Sequence, residues 1–453
     1  MTLNQNILAL MEEKKYKTLR DVLNVMRPFD IAELFDSVEG AKRPVLFRLL
    51  PKELAADTFI ELDEDIQQQL IESFTDSELS AVINDLYVDD VADIIDEMPA
   101  NVVKRILRGT SPDMRKKINE ILRYPEDSAG SIMNTEYISL RQSMTVQHAI
   151  EHIRTVGVDK EMINTLYVID KCRRLVGFVS IRDLLFAKDQ SVIDEVMFAG
   201  DVLSVSTLDD KENVARAFEN YNATELPVVD GEQRLVGIIT VDDAIDVITQ
   251  EATEDIERMA AITPSDKPYL KTSALELFLK RIPWLLVLMI SATFTGIIIS
   301  SFETALSALP ILTAFIPMLM GSGGNCGSQA SVTIIRSISL GDVEFRDILR
   351  VMFKEFRVSI YCGAALAVVN FAKICFVDRY IMGSEVTVLV AFVVSITLFV
   401  TVIIAKFVGC SMPLLAKKIG FDPAVMASPF ITTTIDALSL LVYFAFAVSI
   451  LNL

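Results

Sequence analysis

Apolar positions recur with a period of twelve over residues 27–122, in eight units from RPFDIAELFDSV to SPDMRKKINEIL. The eighth position of each unit is apolar in seven of eight, with Leu34, Leu46, Leu70, Val82, Ile94, Ile106 and Ile118 against the exception Thr58. The twelfth position is also apolar in seven of eight. Spacings of four and eight put these residues on one helical face. Pro, Asp or Ser opens most units where a helix would start. The pattern predicts eight short helices stacked as an all-α solenoid, within a first domain spanning 1–130.

Beyond it the period changes from helical to mixed. LYVIDKCRRLVGFVSIRDLL at 166–185 repeats as LPVVDGEQRLVGIITVDDAI at 226–245, offset by 60. Each copy predicts strand, turn, strand, then G-x-x-[ST]-x-x-D opening a helix, with Ser180 and Asp183 in the first copy and Thr240 and Asp243 in the second. The α/β duplication resembles a tandem pair of CBS domains, placed over 131–248 with units at about 131–190 and 195–248. That resemblance implies a possible adenine-nucleotide site, such as one for ATP, at Ser180, Asp183 and Thr240. The same residue types also serve simply as helix N-caps. His148 and His152 spell H-x-x-E-H, but these are the only histidines in the chain. A zinc peptidase needs a third ligand and an open coordination position, so a surface helix is the reading adopted.

Residues 249–281 read as a connecting helix and linker, beginning with TQEATEDIERMA and ending at Lys280–Arg281. From 282 the chain is dominated by apolar runs. Five segments, near 284–302, 305–322, 358–377, 386–412 and 424–451, approach the roughly 20 residues needed to cross a hydrocarbon core. Lys280 and Arg281, the basic residues between 336 and 357, and Lys417 and Lys418 then all fall on one side. By the positive-inside rule that side is the cytoplasm. The predicted topology is a five-helix α-helical transmembrane domain with cytoplasmic N-terminal domains and the C-terminus outside.

Charge divides the chain in the same way. Residues 1–270 carry 29 Lys+Arg against 51 Asp+Glu, and residues 271–453 carry 13 against 10. The acidic front half argues against nucleic acid as a partner, since phosphate binding needs basic side chains; it fits solubility and cation binding. The first twenty residues include Glu12, Glu13, Lys14 and Lys15 and no long apolar run, so no signal peptide is expected. The five cysteines form no CxxC pair, which argues against a disulfide framework.

Two features interrupt the apolar half. GSGGNCGSQASVTIIR at 321–336 places Gly324, Asn325 and Gln329 at membrane depth. Such a segment either lines a polar cavity or packs helices closely through small residues. The second feature is Asp436 near the middle of the last span. A charge at that depth is costly and marks an ion path by default, unless Lys406 pairs with it. Thr432, Thr433 and Thr434 offer oxygen atoms beside it, and Pro429 is expected to bend the helix. Asp422 lies fourteen residues earlier, about four helical turns along the same face. Oxygen-only ligands select hard cations. One Asp per chain is little charge for a divalent ion, so a two-fold homodimer pairing two copies is expected.

The order of parts, with GGNCGSQ at 323–329, EATEDI at 251–256 and FDPAVMASPFITTTID at 421–436, resembles the MgtE family of magnesium channels over essentially the whole chain. The resemblance implies a homodimeric plasma-membrane Mg²⁺ channel gated by intracellular Mg²⁺. It implies that Asp436 contacts the hydrated ion, with Ser428 and Thr432 assisting. It implies that the connecting helix is a plug whose Glu251, Glu254 and Asp255 bind regulatory Mg²⁺, that Asp210, Glu212, Asp243 and Asp246 share in sensing, and that Asp422 meets the plug. Asp90 is the expected contribution of the solenoid.

The alternative within transport is a CBS-regulated path for Co²⁺ or Mn²⁺, or a cation exchanger. A membrane enzyme is disfavoured, because the spans contain no His, no nucleophile–base pair and no phosphate-cradling loop.

Overall fold

A computed structural model describes residues 3–160, 162–265, 269–270, 272–425 and 428–452, with the side chains of all of these but 3–5, 159 and 428. It divides into two compact units, Met1–Ile248 and Thr249–Leu453.

In the first unit, α1 (Leu3–Glu12) and α2 (Tyr16–Leu23) precede the repeat. The eight twelve-residue units then become α3 (Pro28–Ser37), α4 (Arg43–Phe47), α5 (Lys52–Ile60), α6 (Glu64–Ser73), α7 (Asp76–Ile83), α8 (Val88–Glu97), α9 (Ala100–Gly109) and α10 (Pro112–Ile121). Start signals act where they stand. Pro28 and Pro112 occupy first-turn positions, where a missing N–H costs nothing. Thr75 and Glu78 close a capping box on α7. Leu34, Leu46, Leu70, Ile94, Ile106 and Ile118 are all buried in one continuous core. Thr58, the exception to the pattern, is buried as well, and its Oγ1 has no hydrogen-bond partner.

The duplication folds into two three-stranded sheets of identical order. The first contains β1 (Ser139–Arg141), β2 (Thr165–Ile169) and β3 (Leu175–Ser180), and the second β4 (Val205–Ser206), β5 (Glu225–Val229) and β6 (Leu235–Thr240). Thr165 pairs with Ser180 and Glu225 with Thr240, so the 60-residue offset extends to register. Both sheets shift register at the equivalent step, 168/169 and 228/229. The helices of this part are α11 (Val146–Val156), α12 (Ile181–Phe186), α13 (Ile193–Val196), α14 (Lys211–Tyr221) and α15 (Val241–Met259). His148 lies on α11, where its backbone N–H donates to the Thr145 cap. The second copy's helix and the expected connecting helix are one: α15 continues without a break to Met259.

The second unit holds α16 (Ala274–Ser301), α17 (Glu303–Ala308), α18 (Ile316–Ser339), α19 (Ile348–Lys373), α20 (Val388–Lys418) and α21 (Ser428–Leu451). Among the described residues four helical segments are long and apolar enough to cross a membrane: Ala274–Ser301, Phe345–Ile381, Val388–Lys418 and Pro429–Leu451. The remaining expected span differs from its prediction. Residues 305–315 form the end of α17 and a 3-10 turn opened by Pro310, and the long helix begins only at Ile316. The 24-residue α18 therefore carries the glycine-rich stretch through its middle. Prolines 310 and 317 each start a new helical segment, which is the position proline tolerates best.

α18, α20 and α21 form the core of this unit, with Leu319, Val394, Leu398, Val402, Ile431 and Ile435 buried together. Glycine makes the contact possible. A Cβ on Gly327 would lie 2.0 Å from Ile435 Cδ1, and one on Gly409 would lie 2.3 Å from the Gly327 carbonyl oxygen. The glycines thus serve close helix packing.

Candidate cation path and acidic sensing cluster

Asp436 projects from the middle of α21 and is half-buried. Its Oδ1 is enclosed and has no hydrogen-bond partner among the described residues. Lys406 does not neutralise it. Lys406 instead faces Glu355 of α19, with Nζ 3.7 Å from Oε2. One turn before Asp436, Thr432 abuts Gly324 of α18, where an added Cβ would lie 2.8 Å from the threonine methyl. Ser328 Oγ and Thr432 Oγ1 are 3.5 Å apart. Asn325 and Gln329, one turn apart on α18, are exposed. The polar and glycine faces of α18 thus do separate work: the glycines pack, while the amide side chains stay open.

Two local expectations are corrected. Pro429 is the second residue of α21, so it starts the helix and does not bend it. Asp422 is not on the same helix as Asp436, because the chain turns at 423–425 before α21 begins; the proposed line of carboxylates along one helical face is absent. Thr433 and Thr434 donate their hydroxyls to the carbonyls of Pro429 and Phe430, which leaves the oxygen lone pairs that a cation would use. Ser428 opens α21, but its side chain lies outside the described residues.

Asp422 has a different setting. It accepts from the Ala424 N–H at 2.7 Å and from the guanidinium of Arg258 on α15. Arg258 also pairs with Glu254, one turn earlier. Ser339 at the end of α18 donates to Asp255 at 3.2 Å, and Met259 packs against Ile335 and Ala424. Glu251 stands one turn before Asp255 on the same helix, partly buried. The last turns of α15 are therefore seated against the end of α18 and the loop entering α21.

The first unit gathers a second acidic group. Loss of hydration in a crowded surround, then the Asp243 carboxylate, push Asp90 up to about 7. Asp93 reaches solvent, yet the protein around it and the charges of Asp90 and Asp243 push it to about 7. Asp243 is raised to about 6 by burial, against the opposing hydrogen bond from Thr240. Asp246 and Glu61 are also raised, each by burial first and by an acidic neighbour second. Asp210 and Glu212 are not among the charges acting on Asp90, Asp93 or Asp243. Asp210 caps α14 by accepting from the Glu212 N–H, and Glu212 pairs with Arg216. Among the described residues no three metal-ligating side chains meet closely enough to form a ready coordination sphere. The donors are nonetheless oxygen-only, which suits a hard, hydrated cation.

Ser180 donates to Asp183 at 2.6 Å, and Thr240 to Asp243 at 2.6 Å. Both are helix-cap geometries, and in the second copy the cap carboxylate is shared with the acidic cluster. Asp93, Glu61, Arg258 and Glu355 were absent from the sequence-derived sites. The signal for Asp93 was present as Asp90-x-x-Asp93 on one helical face. The others depend on long-range packing.

An apolar helical bundle with, among the described residues, a carboxylate in a span that no protein donor meets, coupled in sequence to an acidic solenoid and a duplicated α/β pair, defines a cation-transport protein of the membrane. The sequence patterns described as "MgtE: Divalent cation transporter", "MgtE intracellular N domain" and "CBS domain" match residues 316–446, 26–127, and 129–189 with 193–250 respectively. The "Magnesium transporter MgtE" of Thermus thermophilus is 35% identical over 441 residues, covering 96% of each chain. That of Bacillus subtilis is 34% identical over 450 residues, covering 98% of this chain and 97% of the relative. The crystal structure of the cytosolic domain of the Mg²⁺ channel MgtE in complex with ATP aligns at TM-score 0.52 and 36% identity, covering 54% of this chain and all of that one. The chain belongs to the MgtE family of magnesium transporters.

Proposed function

We propose that this protein is a Mg²⁺ channel of the plasma membrane, a homodimer in which the hydrated ion passes Asp436. The observation that carries this reading is the enclosed Oδ1 of Asp436, which has no donor among the described residues. A carboxylate oxygen left unpartnered in a span costs several kcal/mol unless water or a cation meets it. Thr432 and Ser428 sit on the same helix as supporting oxygen donors, and Gly324, Asn325 and Gln329 border the path. The open amides of Asn325 and Gln329 favour a second copy or a water-filled path over lipid at that face. Related proteins named as magnesium transporters do not favour the Co²⁺ or Mn²⁺ alternative.

The division 1–130, 131–248, 249–281 and 282–453 then acquires roles. The soluble domains lie in the cytoplasm and sense Mg²⁺ through Asp90, Asp243 and Asp246, with Asp210 and Glu212 at a separate locus. Glu251, Glu254, Asp255 and Asp422 form the plug contact. Carboxylates that repel one another hold together only when protonated or bridged by cations, so loss of intracellular Mg²⁺ would release them. ATP or another adenine nucleotide is proposed at the CBS pair around Ser180, Asp183 and Thr240; the resemblance to an ATP-bound relative supports it. The C-terminus is placed outside.

Growth of a strain unable to take up Mg²⁺ tests the assignment. Wild type restores growth at low external Mg²⁺ and Asp436→Ala does not. Full rescue by Asp436→Ala removes the ion path from this residue.

A further inference from the structure

The bundle contains a buried charge that the reading above does not use. Lys406, in the middle of α20, is 6% exposed and is the buried basic residue among those described in the spanning helices. Its partner is Glu355 of α19 at 3.7 Å, with the two side chains 8% and 13% exposed. The adjacent residues Phe356 and Phe407 pack ring to ring at 6.0 Å, fixing the two helices at that level. Burying an ion pair gains little stability over apolar residues of similar size, and ionisable groups inside a span are expensive. Helix packing alone does not account for this pair.

Its position does. On α18, a single Cβ at Gly327 would meet Ile435 and Ile431 of α21 at 2.0 and 3.1 Å and the carbonyl oxygen of Ala405 of α20 at 3.2 Å. Ala405 precedes Lys406, and Ile435 precedes Asp436. Atoms of α20 and α21 that share one contact point adjoin, so the three helices meet at this level. The ammonium of Lys406, turned towards Glu355, therefore lies on the helix adjacent to that of Asp436 and at the same level of the bundle, the two helix axes being about 8–10 Å apart.

We propose that Lys406 and Glu355 are specificity-determining residues of the cation path: Lys406 is a fixed positive charge on the helix beside that of Asp436, and Glu355 cancels it, so that the potential at Asp436 admits a divalent ion. The inference rests on the reading of Asp436 as part of that path. With Glu355 neutralised, Lys406 repels a cation at Asp436. At an effective dielectric near 20 and that separation, the repulsion weakens Mg²⁺ occupancy roughly tenfold or more, and that of a monovalent ion by about the square root of the same factor.

The test is ion flux in proteoliposomes made with full-length protein, comparing wild type, Glu355→Gln, Lys406→Met and the double variant, with melting temperature in detergent measured for each. The expected result is a half-saturating Mg²⁺ concentration about tenfold higher for Glu355→Gln, a smaller effect on K⁺ or Na⁺ leak, and return towards wild type in the double variant. Lys406→Met shifts the half-saturating concentration the other way or leaves it unchanged. If Glu355→Gln leaves Mg²⁺ saturation unaltered, the proposal is overturned. The same holds if the double variant is no better than Glu355→Gln, or if Mg²⁺ and monovalent flux fall equally. A single variant that fails to fold leaves the charge-swapped pair Glu355→Lys with Lys406→Glu, which must conduct for the proposal to stand. Asp436→Asn measured alongside separates the two readings: normal flux there defeats the path assignment itself, whereas lost flux there with a silent Glu355→Gln defeats only this one.

Discussion

Arg258 of α15 bridges Glu254 on its own helix and Asp422 in the loop before α21. Glu254 and Asp422, which the family resemblance assigns to a regulatory plug contact, thus already have one cation between them, supplied by the protein. Arg258 ties the end of α15 to the loop before α21, and under the proposed gating Mg²⁺ would add to that hold. The pair is partly exposed, so it contributes about 0.5–1 kcal/mol. Arg258→Gln is expected to raise the intracellular Mg²⁺ concentration that half-closes the channel by roughly two- to fivefold, measured as flux against internal Mg²⁺.

The acidic cluster predicts a pH dependence with a definite sign. Asp90 and Asp93 titrate near 7 and Asp243 near 6, all above the ordinary carboxylate value. A raised carboxyl pKa stabilises the state that raises it at low pH, and that stabilisation is lost as pH climbs through the shifted value. In Mg²⁺-free buffer, the arrangement of α8 against the start of α15 is therefore favoured at pH 5.5 and weakened by pH 8. Limited proteolysis should show protection at pH 5.5, cleavage at pH 8, and protection restored at pH 8 by millimolar-range Mg²⁺. The triple variant Asp90→Asn, Asp93→Asn, Asp243→Asn should be protected at both pH values without Mg²⁺.

Gly327 offers a packing test. Alanine there would bring Cβ to 2.0 Å from Ile435 Cδ1, the tip of a side chain. Overpacking of this kind costs about 1–3 kcal/mol. Gly327→Ala is expected to lower the melting temperature in detergent, and adding Ile435→Val, which deletes the clashing methyl, should recover much of the loss. Gly409→Ala meets backbone at 2.3 Å, so no such rescue is available to it.

Thr58 breaks the apolar repeat yet lies in the solenoid core with an unsatisfied hydroxyl. Thr58→Val keeps the shape and removes a group whose burial costs roughly 1–3 kcal/mol. The variant is expected to melt higher than wild type.

Much of this fold was legible because it is periodic. The twelve-residue repeat translated helix by helix, and the 60-residue offset translated into matching strand registers, since local pattern and core burial demand the same structure. What escaped was long-range. Pro429 sits two residues into a helix whose start the sequence did not mark, so a bend was expected where there is only a beginning. The glycines of 321–327 read more readily as a cavity lining than as contact, and only the approach of Ile435, Thr432 and Ala405 decides for contact at Gly323, Gly324 and Gly327. Lys406 was weighed against Asp436 because both lie in neighbouring spans; its partner Glu355 belongs to a helix the apolar pattern began at 358. Asp436 itself was visible because a lone charge in an apolar run needs no partner to be noticed.

The central claim is that the ion passes the Asp436 carboxylate. Mg²⁺ current across a planar bilayer, compared between wild type and Asp436→Asn, tests it most directly, because the substitution keeps size and removes only charge. The account predicts that current carried by Mg²⁺ falls by at least tenfold, the effect of removing a full charge from the path, while the melting temperature is kept or raised. Unchanged Mg²⁺ current in a folded Asp436→Asn protein would contradict it.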